Sequence, residues 1–100
     1  MPNVTVGKIG ELTPGSCKRV DVNGKPVALY NVAGTVYASE DTCPHRGGPL
    51  GEGELDGTVV TCPWHGWRFD VVTGQSPVNA NAKIRTLPCA LEGDSIVVTI

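Results

Sequence analysis

Turn signals recur so often along this chain that only short elements fit between them. Asn23-Gly24 parts two strand-like runs by two residues, and Asp56-Gly57 repeats the pattern ahead of Thr58. Both are strong hairpin cues, because Asn, Asp and Gly tolerate the positive φ of a two-residue turn. Ala33-Gly34, Thr73-Gly74 and Glu92-Gly93-Asp94 mark three further reversals. The runs between them read as strands. Residues 35–38 and 95–100 are short and β-branched, and Arg19-Val20-Asp21-Val22 alternates polar with apolar, the period of a half-buried strand. Residues 25–30 are less regular, with Pro26 suited to a strand start, and residues 58–61 form another short apolar run. The best helical candidate, residues 9–12, is one turn long. Turns about every 8–12 residues indicate an all-β sandwich or small barrel. At 100 residues, one domain spanning 1–100 is the expectation.

Several classes of function are set aside by composition and charge. No run approaches the roughly 18 apolar residues of a membrane-spanning helix. The first residues, Met1-Pro2-Asn3-Val4-Thr5-Val6, lack the basic start and apolar stretch of a secretory signal, so a cytoplasmic protein is expected. The glycosylation pattern Asn3-Val4-Thr5 is then expected to go unused. A formal charge of −2 and eight scattered Lys and Arg provide no electrostatic footprint for nucleic acid or an anionic membrane. Four cysteines in a reducing compartment point to metal more than to disulfides.

Two segments break the strand-and-turn rhythm. Residues 40–54 contain Cys43, Pro44, His45, Gly47, Gly48, Pro49, Gly51 and Gly53, while residues 62–66 contain Cys62, Pro63, His65 and Gly66. Both read as constrained loops on a β scaffold, where sites are commonly carried. The chain has only two histidines, and each lies within three residues of a cysteine. One pair is Cys43-Pro44-His45, the other Cys62-Pro63-Trp64-His65, with sixteen residues between His45 and Cys62. Two thiolates and two imidazoles on two loop tips can converge on one metal centre. Proline restricts each loop and glycine lets the backbone approach sulfur closely. Structural zinc accepts the same donor set, which makes a zinc-stabilised interaction module the rival reading. Zinc motifs, however, usually pair Cys with Cys and His with His, whereas here the order alternates.

Cys43-Pro44-His45-Arg46-Gly47-Gly48 together with Cys62-Pro63-Trp64-His65-Gly66-Trp67 resembles the Rieske [2Fe–2S] signature. The resemblance continues through Gly53, Leu55, Gly57 and Arg68-Phe69-Asp70 to Gly74, most of the chain. It implies an antiparallel β sandwich with a cluster-binding subdomain of two loops at one end. It also implies one [2Fe–2S] cluster, with Cys43 and Cys62 on one iron and His45 and His65 on the other. The two histidines are then used up, which leaves none for the 2-His-1-carboxylate iron of an oxygenase. The chain thus looks like a ferredoxin, a one-electron carrier and not an enzyme. Such ferredoxins relay electrons from an NAD(P)H-dependent flavoprotein reductase to a terminal oxygenase with its own Rieske centre and mononuclear iron. A small redox subunit resembling that of assimilatory nitrite reductase is the alternative within the electron-transfer class.

High-potential Rieske proteins carry an extra disulfide between the two loops and hydroxyl residues after the second motif. Here residues 46–51 lack Cys, Trp64 occupies the second-loop Cys position, and Trp67 and Phe69 occupy the hydroxyl positions. Fewer donors to sulfur imply the low end of the Rieske range, about −150 mV. Residues 40–70 hold six acids and two bases, so an acidic surface near the cluster could steer a basic partner. Trp64 and Trp67 are expected to pack on the loops, and Cys17 and Cys89 to be buried inert thiols, with a disulfide between them left open. Gln75-Ser76-Pro77 is expected to be either an ordinary surface loop or a third loop over the cluster.

Overall fold

Side chains on a strand alternate between its two faces, and the longest apolar run in the chain uses both of them. The computed structural model describes residues 3–22, 24–41, 49–63, 66–77 and 83–99. Within them lie β1 (Asn3–Lys8), β2 (Cys17–Val22), β3 (Lys25–Val32), β4 (Thr35–Glu40), β5 (Glu54–Asp56), β6 (Val59–Thr61), β7 (Arg68–Asp70), β8 (Thr86–Leu87), β9 (Cys89–Glu92) and β10 (Ser95–Thr99). Among the described residues the only helical pieces are two 3-10 turns, Ile9–Glu11 and Leu50–Glu52. The first is the single turn read from the sequence.

The strands make three antiparallel sheets, ordered β1-β10-β9, β2-β3-β4-β8 and β5-β6-β7. β3 shows how they stack. Val27 and Leu29 enter a core with Val36, Ala38, Ile96 and Val98. Ala28 and Tyr30 enter a second core with Leu50, Val60, Cys62 and Phe69. The four-stranded sheet is therefore a middle layer. It packs against the β1-β10-β9 sheet on one face and against the small β5-β6-β7 sheet on the other. Burying a side chain such as Phe69 fully contributes about 1.5–3 kcal/mol.

The turns follow the sequence signals. Val32 pairs with Thr35 across Ala33 (φ +50) and Gly34 (φ +95), so both central residues have the positive φ that matches strand twist. Asn31 secures this turn from inside: its Oδ1 accepts from Gly34 N–H at 2.8 Å, while its Nδ2 donates to the Leu12 carbonyl at 2.7 Å. Two distant loops are thus held by one buried side chain. Among the described residues, no helix is long and apolar enough to cross a membrane.

Candidate metal centre

The second Cys-His motif is the loop of the β6–β7 hairpin. Thr61 pairs with Arg68, and Cys62 N–H donates to the Trp67 carbonyl at 2.7 Å, so the chain closes on itself between positions 62 and 67. Gly66 stands at φ +69, a conformation that lets the loop turn back into β7. Cys62 is 1 % exposed and belongs to the core with Val60 and Phe69. Trp67 packs against that core, its ring centroid 6.5 Å from that of Phe69. Trp67 therefore has the packing role expected of it. Of the four expected ligands only Cys62 is described; Cys43, His45 and His65 lie outside the described residues, as does Trp64.

What is described of the first loop is its two roots. Leu50 N–H donates to the Asp41 main-chain carbonyl at 2.7 Å, which closes the chain on itself between positions 41 and 50. Gly51 N–H donates to Asp41 Oδ1 at 2.7 Å, and Arg19 Nε lies 3.1 Å from Asp41 Oδ2. The Asp41 side chain is only 4 % exposed, against 45 % for that of Arg19. Burial pushes the Asp41 carboxyl above its usual pKa, while the Gly51 amide and the Arg19 guanidinium pull it back, and Glu52 and Asp21 add to the rise. Leu50, where the first loop returns, and Cys62, where the second begins, share one core. Both Cys-His loops are thus rooted on the same face of the middle sheet.

Close backbone approaches fix the junction between the loops and the sheets. A Cβ on Gly53 would fall on the Thr61 carbonyl oxygen, one residue before Cys62. Cys17 Sγ donates to the Gly53 carbonyl at 3.2 Å from the other side. Cys17 is a half-buried thiol whose pKa is raised by burial and then by the Asp41 charge. Cys89 is likewise a half-buried free thiol, raised to about 11 by burial. Cys17 packs against the Cys62 core and Cys89 against the core across the middle sheet, so the disulfide left open by the sequence is not formed.

A third loop is also anchored here. Gln75 bridges Lys83, and Ile84 N–H donates to the Gly74 carbonyl at 2.7 Å, which brings the two ends of segment 76–82 together. Ser76 is buried, and Pro77 shares a recess with Gly66 of the second loop. The residues between Pro77 and Lys83 lie outside the described set. Asp70 shapes the approach to this segment: its Oδ1 accepts from Val72 N–H at 2.8 Å, and its Oδ2 accepts from the Thr58 hydroxyl at 3.2 Å.

The roles of Asp41, Gly51 and Gly53 were not found by sequence reasoning. Motif spacing marks donors; these residues act through backbone proximity, which only the folded chain shows.

A family model described as the Rieske [2Fe-2S] domain matches residues 3–89. The ferredoxin component of a naphthalene 1,2-dioxygenase system from Pseudomonas aeruginosa is 38 % identical over 93 residues, covering 90 % of this chain and 88 % of that protein. The ferredoxin of carbazole 1,9a-dioxygenase from Nocardioides aromaticivorans IC177 superposes with a TM-score of 0.90 at 28 % identity, covering 99 % of this chain and 98 % of that one. A structure of reduced oxygenase complexed with oxidized ferredoxin in carbazole 1,9a-dioxygenase contains a chain matching at TM-score 0.89 and 33 % identity, over 97 % and 92 % of the two chains. The chain belongs to the Rieske [2Fe–2S] domain family and carries a Rieske-type cluster. These full-length relatives are ferredoxin components, electron-transfer subunits and not catalytic enzymes.

Proposed function

We propose that this protein is a one-domain Rieske ferredoxin that relays single electrons from an NAD(P)H-dependent flavoprotein reductase to a terminal oxygenase. The observation that carries this reading is the near-complete, end-to-end match to dioxygenase ferredoxin components. The 38 % identity of that match favours the oxygenase-linked carrier over a small subunit of another reductase, since a chain named for a nitrite reductase small subunit matches end to end at only 20 % identity. Cys43 and Cys62 would hold one iron, and His45 and His65 the other. The donor set fits the cluster: each loop offers one thiolate and one imidazole, and the described roots of both loops share one core. When bound, the cluster supplies a one-electron couple.

The protein's own residues provide the frame and the surroundings. The closure between positions 62 and 67 fixes the Cys62 backbone, and the core around Cys62 keeps water from its sulfur. Trp67 and Phe69 present no hydroxyl donor, which supports a potential near the low end of the Rieske range, about −150 mV. Cys17 and Cys89 are thiols, which suits work in the reducing cytoplasm.

The test is protein-film voltammetry on protein whose iron and acid-labile sulfide have been assayed, followed by rapid mixing with a flavoprotein reductase and with a terminal oxygenase. A reversible low-potential wave, fast reduction by the one and reoxidation by the other support the relay. Zinc in place of iron and sulfide, or a high-potential wave with no exchange with an oxygenase, refutes it.

A further inference from the structure

Asp41 stands where the chain leaves the sandwich for the first Cys-His loop, and all of its acceptor groups are engaged. Its carbonyl accepts from the Leu50 N–H, Oδ1 accepts from the Gly51 N–H, and Oδ2 forms an ion pair with Arg19 Nε at 3.1 Å. The first two bonds join the two ends of the loop, and the third ties that junction to β2 of the middle sheet. No spare volume exists at this meeting point. A Cβ on Gly51 would lie 2.7 Å from the Arg19 backbone nitrogen and 2.9 Å from Asp41 Oδ1. A charged, nearly buried side chain at a loop root is costly unless its partners are fixed. Here they are fixed from both the loop and the sheet.

We infer that Asp41 is the positioning residue of the first cluster loop, clamping its two ends to β2, and that Arg19 acts through it. The inference rests on the reading that Cys43 and His45 are ligands, because the clamp matters to the cluster only if this loop holds it. Groups that orient metal ligands without touching the metal are typically worth about 10- to 100-fold in metal affinity.

The holoprotein and its Asp41→Asn, Asp41→Ala, Arg19→Gln and Asp41→Asn/Arg19→Gln variants test this. Three quantities are read: the half-time of cluster loss to an iron chelator, the EPR line shape of the reduced cluster, and the far-UV melting curve. Asp41→Ala is expected to shorten the half-time about 10-fold or more and to alter the EPR line. Each conservative single variant should shorten it several-fold. The double variant should recover part of the loss, because an Asn amide N–H can donate to the Gln oxygen while its own oxygen still accepts from Gly51. Wild-type half-times and EPR lines in both single variants overturn the inference. So does a double variant whose effect is the product of the two singles, since Arg19 would then act independently of Asp41. If Asp41→Ala does not fold, the Asn and Gln variants decide the matter. Cys43→Ser separates the layers. A Cys43→Ser protein that keeps an unchanged cluster overturns the ligand assignment and this inference with it. Cluster loss in Cys43→Ser with wild-type behaviour in the clamp variants overturns the clamp alone.

Discussion

Three glycines in this chain stand in three different situations, one blocked by backbone, one held at positive φ and one under neither constraint, and alanine at each gives a calibrated series. Gly53 has φ −83, which any residue adopts, but its Cβ would collide with the Thr61 carbonyl oxygen and stand 3.2 Å from the Leu50 carbonyl. Gly57 has open space around it but φ +61. Gly10 has open space and no positive φ. Overpacking costs about 1–3 kcal/mol where side chains can yield. At Gly53 the obstacle is backbone held in the Glu54–Thr61 strand pair, so the upper end applies, about 3 kcal/mol. Left-handed backbone costs a non-glycine residue about 1–2 kcal/mol at Gly57. Gly10→Ala meets neither penalty and gains about 0.4–1 kcal/mol from a less free unfolded chain. Thermal unfolding of the holoproteins, followed by far-UV circular dichroism, reads the series. At about 4–8 °C per kcal/mol, Gly53→Ala should melt about 12–24 °C lower, Gly57→Ala about 4–16 °C lower, and Gly10→Ala slightly higher. Gly53→Ala should also loosen the cluster, because Thr61 immediately precedes Cys62. A Gly53→Ala protein that melts no lower than Gly57→Ala would refute the claim that the β5–β6 junction cannot move aside.

Phe69→Ala removes a fully buried ring beneath the second loop and should cost about 3–5 kcal/mol, read as a lower denaturant midpoint; a loss under about 1 kcal/mol would mean the core collapses to refill the space. Asn31→Ala leaves the Leu12 carbonyl and the Gly34 amide without their shared partner and should cost about 1–3 kcal/mol by the same assay, with Asn31→Asp rescuing only the Gly34 half. Burial pushes the Cys89 thiol in the folded state from its ordinary value of 9.0 up to about 11. The folded state holds that proton more tightly, so this contribution is complete below about pH 9 and is lost as pH rises through about 11. Cys89→Ala should therefore flatten the alkaline decline in stability, and an equal decline in both proteins would show that Cys89 does not contribute to it.

What could be read from the sequence was whatever local chemistry decides. Ala33-Gly34 turns as expected because a two-residue hairpin takes positive φ at both positions, which Gly34 adopts freely and Ala33 adopts against the usual cost to a residue with a Cβ, and Ile9–Glu11 is a single turn because nothing beyond it continues a helical pattern. Strands β2, β3 and β4 contain the runs read as strands, and β6 and β10 fill all but one residue of theirs, residue 100 lying outside the described residues. The strands left unmarked are β1, β5, β7, β8 and β9, and two of these exist only because tertiary pairing makes them. β5 is Glu54-Leu55-Asp56, with one apolar residue, and β8 is two residues long. Neither carries a period of its own; each is a strand because β6 or β4 lies beside it. The donor motifs were legible because cysteine and histidine are rare here and their spacing is distinctive. Asp41 was counted only as one acid among six, since nothing local distinguishes a carboxylate that clamps a loop from one that faces water.

The alternation along β3 explains why the two halves of this small protein depend on each other. Leu29 and Tyr30 are adjacent in sequence, yet one completes the core under the β1-β10-β9 sheet and the other the core beneath the Cys-His loops. A strand so used cannot shift by one residue without exchanging both sets of side chains between cores. The Tyr30 hydroxyl reinforces the register, since it lies 2.8 Å from the Ser39 hydroxyl on β4, and burial raises its pKa so that it stays protonated. The register that makes the sandwich is therefore the register that sets the floor under Cys62. A stiff floor is what an electron carrier needs, because ligands held in place between oxidation states leave little protein to reorganise at each transfer.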